Sequence, residues 1–223
     1  MNIKLFFEAL LKFSLGLILI GLLIFIPANT IKYWNGWLFI GLLFIPTLIV
    51  SIVMMIKSPN LLRSRLNAKE KESEQKLVVA LSGVMFLAGF IIAGLNYRYS
   101  WTQLPDIVVI ISSIIFILSY VMYIEVLREN SFLSRTIEVQ KEQKVIDTGL
   151  YKIVRHPMYF STLILFLSIP LILDSLISFI IFLVYPFIII KRINNEEEVL
   201  EKELSGYKEY KKIVKYKLIP FVW

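Results

Sequence analysis

Six long apolar runs are the feature of this 223-residue chain that most restricts its fold. They cover residues 6–26, 36–56, 77–95, 107–127, 159–173 and 175–190, and each is continuous rather than alternating. Four of them approach the roughly 20 residues that a helix needs to cross a bilayer, and the last two are shorter. A lone strand cannot pair its backbone groups in lipid, so helices are expected. The sequence therefore predicts an all-α, polytopic membrane helical bundle of about six spans.

The last two runs are expected to form a helical hairpin. Asp174 and Ser175 lie between them, and serine is a preferred N-cap residue, so this pair predicts a polar turn that starts the second helix. The first run is expected to be retained as a helix, because it lacks a small-residue cleavage site and exceeds the apolar region of a signal peptide. A charged helical tail from 196 to 210, with a helix end at Gly206, is predicted to form a cytoplasmic lid. The apolar residues 218–223 are expected to fold back onto the protein or onto the membrane interface.

The basic residues predict how the helices are oriented. If six spans alternate in direction, 22 of the 24 lysines and arginines fall on one side, and only Lys32 and Arg98 on the other. This asymmetry fits the positive-inside rule for a multi-pass protein with both termini in the cytoplasm. The net charge of +7 then indicates topology and contact with membrane lipids, not nucleic-acid binding. Aromatic residues typical of a membrane interface occupy the two poorly basic loops, namely Tyr33, Trp34, Trp37, Tyr97, Tyr99 and Trp101.

The residue content excludes several kinds of active site. The chain has no cysteine, so disulfides, iron–sulfur clusters and thiol nucleophiles are excluded. It has a single histidine, which argues against a multi-histidine metal site, and no metal is predicted. None of its nine glycines forms the G-x-G-x-x-G or P-loop pattern of soluble nucleotide sites.

Unusual polar residues are concentrated in the second half of the chain. Residues 1–127 are mostly membrane spans, and residues 128–223 hold two polar clusters on either side of the hairpin, within one integrated domain. The first cluster, 149–159, contains the only histidine, His156. The second, 192–198, contains the only run of three carboxylates. The hairpin would return both clusters to the same face of the membrane.

The first cluster predicts a polar pocket at a helix start. Pro157 is favourable in the first turn of a helix, where its missing N–H costs nothing. The free N–H groups of that turn, together with His156 and Tyr159, would accept a carboxylate or another anion. A basic residue beside an ordinary helix start is the simpler interpretation of the same residues.

The second cluster places opposite charges on one helix face. Arg192 and Glu196 are spaced i,i+4, which also fits an ordinary surface ion pair. At the end of a span, however, Arg192 suits a substrate anion, and Glu196 or Glu197 suits an ammonium group. S-adenosylmethionine carries a carboxylate, an ammonium and a sulfonium that is attracted to aromatic faces. These residues permit that ligand without selecting it.

The order and spacing of these motifs resemble the isoprenylcysteine carboxyl methyltransferase family, which belongs with the membrane phospholipid methyltransferases. The resemblance covers about residues 128–223, and the N-terminal spans match only in general character. Residues 204–207 depart from the common F-G-x-x-Y of the family. The motifs are Gly149-x-Tyr151-x-x-x-Arg155-His156-Pro157-x-Tyr159, Arg192-x-x-x-Glu196-Glu197, Tyr207-x-x-Tyr210 and Ile219-Pro220.

The resemblance implies an S-adenosylmethionine-dependent methyltransferase that acts on a lipophilic acceptor, such as the carboxylate of a prenylcysteine-like substrate. It implies that Arg192 orients the acceptor and that Glu196 holds the cofactor ammonium, as the catalytic pair. A phospholipid amine, a thiol or another lipophilic acid remains open as the acceptor. The cofactor-binding residues implied by the family are Gln140, Gln143, Lys144, Val145, Ile146, Tyr151, His156, Pro157, Met158, Tyr159 and Glu196.

Two other functions fit part of the pattern. Membrane sterol and steroid reductases bind NADPH and show a similar R-H-P-x-Y, typically followed by a small residue and a glutamate. Here Phe160-Ser161-Thr162 follows, without that acid, so a reductase is the less favoured enzyme. A transporter would place polar residues near the bilayer midplane. The acidic residues of this chain instead lie at the ends of the spans.

Overall fold

The computed structural model describes residues 3–67 and 73–223, which form nine α-helices and one short 3-10 helix at Gly149–Lys152. This confirms the predicted all-α class. The α-helices are α1 Ile3–Ala28, α2 Trp34–Lys57, α3 Pro59–Leu66, α4 Ser73–Tyr99, α5 Asp106–Glu129, α6 Pro157–Ile172, α7 Leu176–Phe182, α8 Tyr185–Glu203 and α9 Tyr207–Ile213.

Each predicted span corresponds to an apolar helical segment. Helices α1, α2, α4 and α5 are long and apolar enough to cross a membrane, as is the stretch Leu176–Glu203 that α7 and α8 form together. Helix α6 is equally apolar but has 16 residues. The structure thus confirms a polytopic bundle whose fifth apolar segment is shorter than the others. Helix α6 packs along α5, while α4 lies against α1, α7 and α8.

The turn of the hairpin is fixed by polar contacts, as Asp174 and Ser175 predict. The Ser175 side chain caps α7 by accepting a hydrogen bond from the Ser178 backbone N–H at 3.2 Å. The Asp174 carboxylate accepts the Leu104 N–H at 2.6 Å, and the buried Asn96 amide donates to the Asp174 carbonyl at 2.9 Å. These bonds tie the hairpin turn to the connection between α4 and α5. The two polar clusters lie at the other end of the bundle.

Tyr33 differs from the other aromatic residues predicted at the interface. Trp34, Trp37 and Trp101 are exposed, as expected of interfacial side chains, but Tyr33 is fully buried. Its hydroxyl donates to the carbonyl of Leu173 at the end of α6. That carbonyl is one of those that a helix end leaves without an intrahelical partner. Tyr33 is therefore a structural anchor of the hairpin.

The charged helix of the C-terminal part breaks next to Gly206, where the sequence predicts its end. Helix α8 ends at Glu203, and α9 begins only at Tyr207. Gly206 separates them with φ +84, a left-handed conformation that favours glycine. Leu204 is buried at this corner and turns α9 back toward α8. The break allows the C-terminal segment to cover the end of the bundle.

The C-terminal segment folds back onto the protein as far as Leu218, whereas Phe221 and Val222 are exposed. The backbone N–H groups of Arg155 and His156 donate to the carbonyls of Tyr216 and Lys217, both at 2.9 Å. Leu218 follows and is buried in the main core. The start of α6 is thus paired directly with the C-terminal segment.

Helix α4 approaches α1 closely at Gly94, which gives a test of the packing. A Cβ at this position would lie 2.5 Å from the Ile24 carbonyl oxygen, so the α1 backbone would have to move. Overpacking typically costs about 1–3 kcal/mol. We expect Gly94→Ala to lower the apparent Tm of the detergent-solubilised protein by several degrees. Gly83→Ala is the matched control in the same helix, because its Cβ meets nothing within 4 Å. Equal Tm values for the two variants would contradict the helix packing described.

Candidate active site

A polar cavity opens where the two predicted clusters meet. Its enclosed volume is about 90 Å³, and it opens into a wider polar cleft with a total of about 830 Å³ including the space at its mouth. Its wall is formed by the irregular segment 130–146, the 3-10 helix, the start of α6, the second half of α8 and α9. Predicted site residues in the lining are Gln143, Lys144, Val145, Ile146, Tyr151, His156, Pro157, Met158, Tyr159, Arg192 and Glu196.

Gln140 is the predicted cofactor residue that the structure does not place in this lining. Its side-chain amide donates to the Phe132 carbonyl at 2.6 Å, and its backbone N–H donates to the Gln143 side chain at 2.8 Å. Gln140 therefore shapes the loop that carries Gln143. The alternation at 137–140 predicts an extended segment, and this part of the wall indeed has no helix.

Tyr159 joins the two charged residues predicted to be catalytic. The Arg192 Nε donates to the Tyr159 hydroxyl at 2.8 Å, and that hydroxyl donates to the Glu196 carboxylate at 2.5 Å. The Arg192 guanidinium also lies over the Tyr159 ring, 5.9 Å from its centroid. The i,i+4 spacing correctly placed both charges on one face of α8. A phenol from the facing helix α6 now fixes their orientation at the cavity.

Arg192 also connects parts of the chain that are far apart in sequence. Its guanidinium donates to the Gln75 side-chain oxygen at 3.2 Å and to the Arg135 carbonyl at 2.8 Å. Gln75 is 1% exposed and belongs to the first turn of α4. Sequence reasoning missed Gln75. A polar residue that starts an apolar span was the only available signal.

Glu197 occupies the centre of a buried ion cluster. One carboxylate oxygen accepts from Arg155 Nε at 2.7 Å and lies 3.2 Å from His156 Nε2. The other lies 3.1 Å from Lys211 Nζ and 3.6 Å from Lys217 Nζ. Glu197 itself is 3% exposed. Through this one carboxylate, α8 is bound to the start of α6, to α9 and to the C-terminal segment.

The three consecutive carboxylates therefore have three different environments. Because successive helical residues are turned by about 100°, Glu196 reaches the cavity, Glu197 enters the ion cluster and Glu198 faces solvent. The sequence left Glu196 and Glu197 as alternative ligands for an ammonium group. Glu197 is surrounded by four basic side chains, and of the two glutamates it is Glu196 that lines the cavity.

Arg155 makes more structural contacts than the sequence indicated. It is buried, and in addition to Glu197 its guanidinium donates to the carbonyls of Val214 and Lys215 at 2.7 and 2.9 Å. His156 is buried beside it, lines the cavity and lies with its ring centroid 5.7 Å from that of Tyr159. The arginine and histidine hold the corner from which α6 presents Tyr159.

Asp147-Thr148-Gly149 is a turn signal in the sequence, and the structure has a turn here that favours glycine. Gly149 has φ +52, and a Cβ there would lie 3.1 Å from the Glu129 carboxylate. The Thr148 hydroxyl donates to the same carboxylate. The turn leads into the 3-10 helix that places Tyr151 in the cavity wall.

Tyr151 and Tyr210 are both held by hydrogen bonds. The Asn130 amide donates to the Tyr151 hydroxyl at 2.9 Å, and the Tyr210 hydroxyl donates to the Tyr151 carbonyl at 2.7 Å. Burial raises the pKa of both tyrosines well above the usual value, so both phenols stay protonated at neutral pH. Helix α9 is thereby attached to the 3-10 helix.

Tyr207, one turn before Tyr210, has no such partner. It is 4% exposed and lines the cavity. Within residues 3–67 and 75–223, the buried side-chain polar atoms without a hydrogen-bond partner are its hydroxyl and the Gln75 amide nitrogen. Burial, then the negative charges of Glu197 and Glu196, raise the pKa of Tyr207, so its phenol is neutral.

Comparison with known proteins agrees with the resemblance seen in the sequence. Residues 107–202 match the model of the isoprenylcysteine carboxyl methyltransferase (ICMT) family. This confirms the predicted similarity over a stretch that contains His156, Tyr159, Arg192 and Glu196. A comparison with curated proteins gives no match.

The ion cluster predicts a difference in stability between neighbouring glutamates. Glu197→Gln leaves Arg155 and its partners buried without the carboxylate, and breaking a buried ion pair costs about 3–5 kcal/mol. We expect a clear fall in the apparent Tm of the detergent-solubilised protein. Glu198→Gln removes the same charge from the exposed face and should leave Tm within about a degree. A Glu197→Gln protein as stable as the Glu198→Gln protein would show that the cluster does not hold the site together.

Proposed function

We propose that this protein is an integral-membrane methyltransferase that uses S-adenosylmethionine and acts on a lipophilic acceptor. The observation that carries the proposal is the cavity in which Tyr159 joins Arg192 and Glu196, within the stretch that matches the family model. The family match supports methyl transfer, and the apolar helices support a membrane location. The cofactor, the acceptor and the residue roles are inferred from the chemistry of the cavity.

The residues of the cavity fit the functional groups of this cofactor. Glu196 is a carboxylate at the cavity wall and suits an ammonium group. The start of α6 at Pro157 offers backbone N–H groups to a carboxylate. The rings of Tyr151 and Tyr207 are in the wall and suit a sulfonium, which is attracted to aromatic faces. S-adenosylmethionine, when bound, supplies an electrophilic methyl group.

Arg192 is proposed to orient an anionic acceptor next to that methyl group. An ionised carboxylate needs no general base, so the reaction requires no residue that removes a proton. This agrees with His156, whose ring is held against Glu197 in the buried cluster. Catalysis would then depend on alignment of the two reactants, which can contribute about 7–11 kcal/mol. Tyr159 is the positioning residue, since it bonds both Arg192 and Glu196.

The acceptor proposed is a lipophilic carboxylate of the prenylcysteine type. Phe132, Leu133 and Ile137 give one side of the cavity an apolar surface suited to a lipid tail. The guanidinium of Arg192 favours an anion and opposes a cationic phospholipid amine. An NADPH-dependent reductase is not favoured, because the family match is to methyltransferases.

A binding experiment tests the cofactor and the role of Glu196 together. Purified protein in detergent should bind S-adenosylhomocysteine in isothermal titration calorimetry, and NADPH should give no saturable heat. Glu196→Gln should weaken S-adenosylhomocysteine binding roughly 10- to 150-fold, because it removes a charge-assisted hydrogen bond.

Glu198→Gln provides the matched control, since the same change is made two residues away on the exposed face of α8. It should bind S-adenosylhomocysteine like the wild type. Saturable binding of NADPH in place of S-adenosylhomocysteine would overturn the proposed cofactor. Equal affinity in both variants would overturn the role of Glu196.

The cavity and both termini are proposed to face the cytoplasm, in accordance with the 22-to-2 distribution of basic residues. The absence of native cysteine makes a labelling test direct. Ser205→Cys, near the cavity, should react with a membrane-impermeant maleimide only after the expressing cells are permeabilised. Gln103→Cys, at the other end of the bundle, should react in intact cells. Both positions are exposed. The reverse pattern would place the cavity outside the cell.

A further inference from the structure

The unpaired hydroxyl of Tyr207 has a cost that the rest of the fold does not explain. The residue is 96% buried, and a buried polar group without a partner destabilises a protein. Such groups are rare in folded proteins, and each calls for a specific cause. The aromatic ring alone would satisfy the packing of the small cluster with Leu204, Tyr210 and Val214. The hydroxyl is therefore not needed for that packing.

Tyr210, in the same helix, is a buried tyrosine whose hydroxyl is hydrogen-bonded within the protein. It lies one turn after Tyr207, is equally buried and lines the same cavity. Its hydroxyl, however, is satisfied by the Tyr151 carbonyl at 2.7 Å. The two rings lie 5.8 Å apart, so they share almost the same surroundings. The difference is that the Tyr210 hydroxyl has a hydrogen-bond partner in the protein and the Tyr207 hydroxyl has none.

The charged groups near Tyr207 indicate which part of a ligand lies there. In addition to burial, the negative charges of Glu197 and Glu196 raise the pKa of the Tyr207 phenol, and the positive charge of Arg155 lowers it. Glu197 and Arg155 are bonded to each other in the ion cluster. Glu196 is the carboxylate of the cavity wall and the proposed ligand of an ammonium group. Glu196 and Tyr207 line the same cavity, so a ligand that fills it and binds Glu196 meets the Tyr207 side chain as well.

We propose that Tyr207 is a ligand-binding residue whose hydroxyl hydrogen-bonds the amino-acid end of the bound cofactor, beside Glu196. This inference rests on the proposed function. A phenol both donates and accepts, so it can bond the ammonium or the carboxylate of that end. Tyr207 lies outside the stretch 107–202 that matches the family model. Helix α9 thus contributes to recognition as well as to covering the cavity.

Two ligands that differ in the amino-acid end test the proposal. S-adenosylhomocysteine carries that end, and 5′-methylthioadenosine lacks it. Affinities for both should be measured by calorimetry on purified wild-type protein and Tyr207→Phe. We expect Tyr207→Phe to weaken the affinity for S-adenosylhomocysteine roughly tenfold. The affinity for 5′-methylthioadenosine should stay within about twofold of the wild-type value.

Tyr210→Phe is the matched control, because it removes a phenol that bonds protein. It should lower the apparent Tm by several degrees, since the Tyr151 carbonyl loses its donor. Tyr207→Phe should keep or slightly raise Tm in the absence of ligand, because it removes an unpaired buried hydroxyl. A lower Tm for Tyr207→Phe than for Tyr210→Phe would mean that protein or water satisfies the Tyr207 hydroxyl, and would overturn the proposal.

The binding outcomes separate this inference from the proposed function. A wild type that does not bind S-adenosylhomocysteine overturns both. A wild type that binds it, with unchanged affinity in Tyr207→Phe, overturns the role of Tyr207 alone. An equal loss of affinity for both ligands would place the hydroxyl at the nucleoside and overturn its assignment to the amino-acid end.

Discussion

The buried carboxylate of Glu197 is the interaction on which the site depends. A charge removed from water is tolerated only when opposite charges and hydrogen-bond donors surround it closely. Here Arg155, His156, Lys211 and Lys217 do so from three separate parts of the chain. Together with the backbone bonds from Arg155 and His156 to the C-terminal segment, the carboxylate joins α6, α8 and that segment at the cavity.

This arrangement separates the structural charges from those available to a ligand. The single histidine is committed to the ion cluster, so it is poorly suited to carry protons between reactants. Among the other charged groups in the cavity lining, Arg192 and Glu196 are both oriented by Tyr159. A pair of this kind can align charged reactants. Methyl transfer to an acceptor that is already ionised requires such alignment.

The fold was largely predictable because lipid permits few structures. Continuous apolar runs can satisfy their backbone only as helices, so the spans and the Asp174–Ser175 turn followed from the sequence. The cluster spacing also placed Arg192 and Glu196 together. It could not decide between Glu196 and Glu197, because that choice depends on the rotation of α8 against α6. The contact between Arg192 and Gln75 joins residues more than one hundred positions apart, and no local pattern encodes it.

In residues 3–67 and 75–223, the two buried side-chain polar atoms without a partner lie at different parts of the site. The Gln75 amide lies beside Arg192, where the acceptor is proposed, and Tyr207 lines the cavity that is proposed to hold the cofactor. Both residues are outside the family match, on α4 and α9, whereas Arg192 and Glu196 are inside it. The matched segment can thus supply the chemistry common to a family. Of the two flanking residues, Gln75 on α4 lies next to the proposed acceptor, so selectivity for a particular acceptor would arise there.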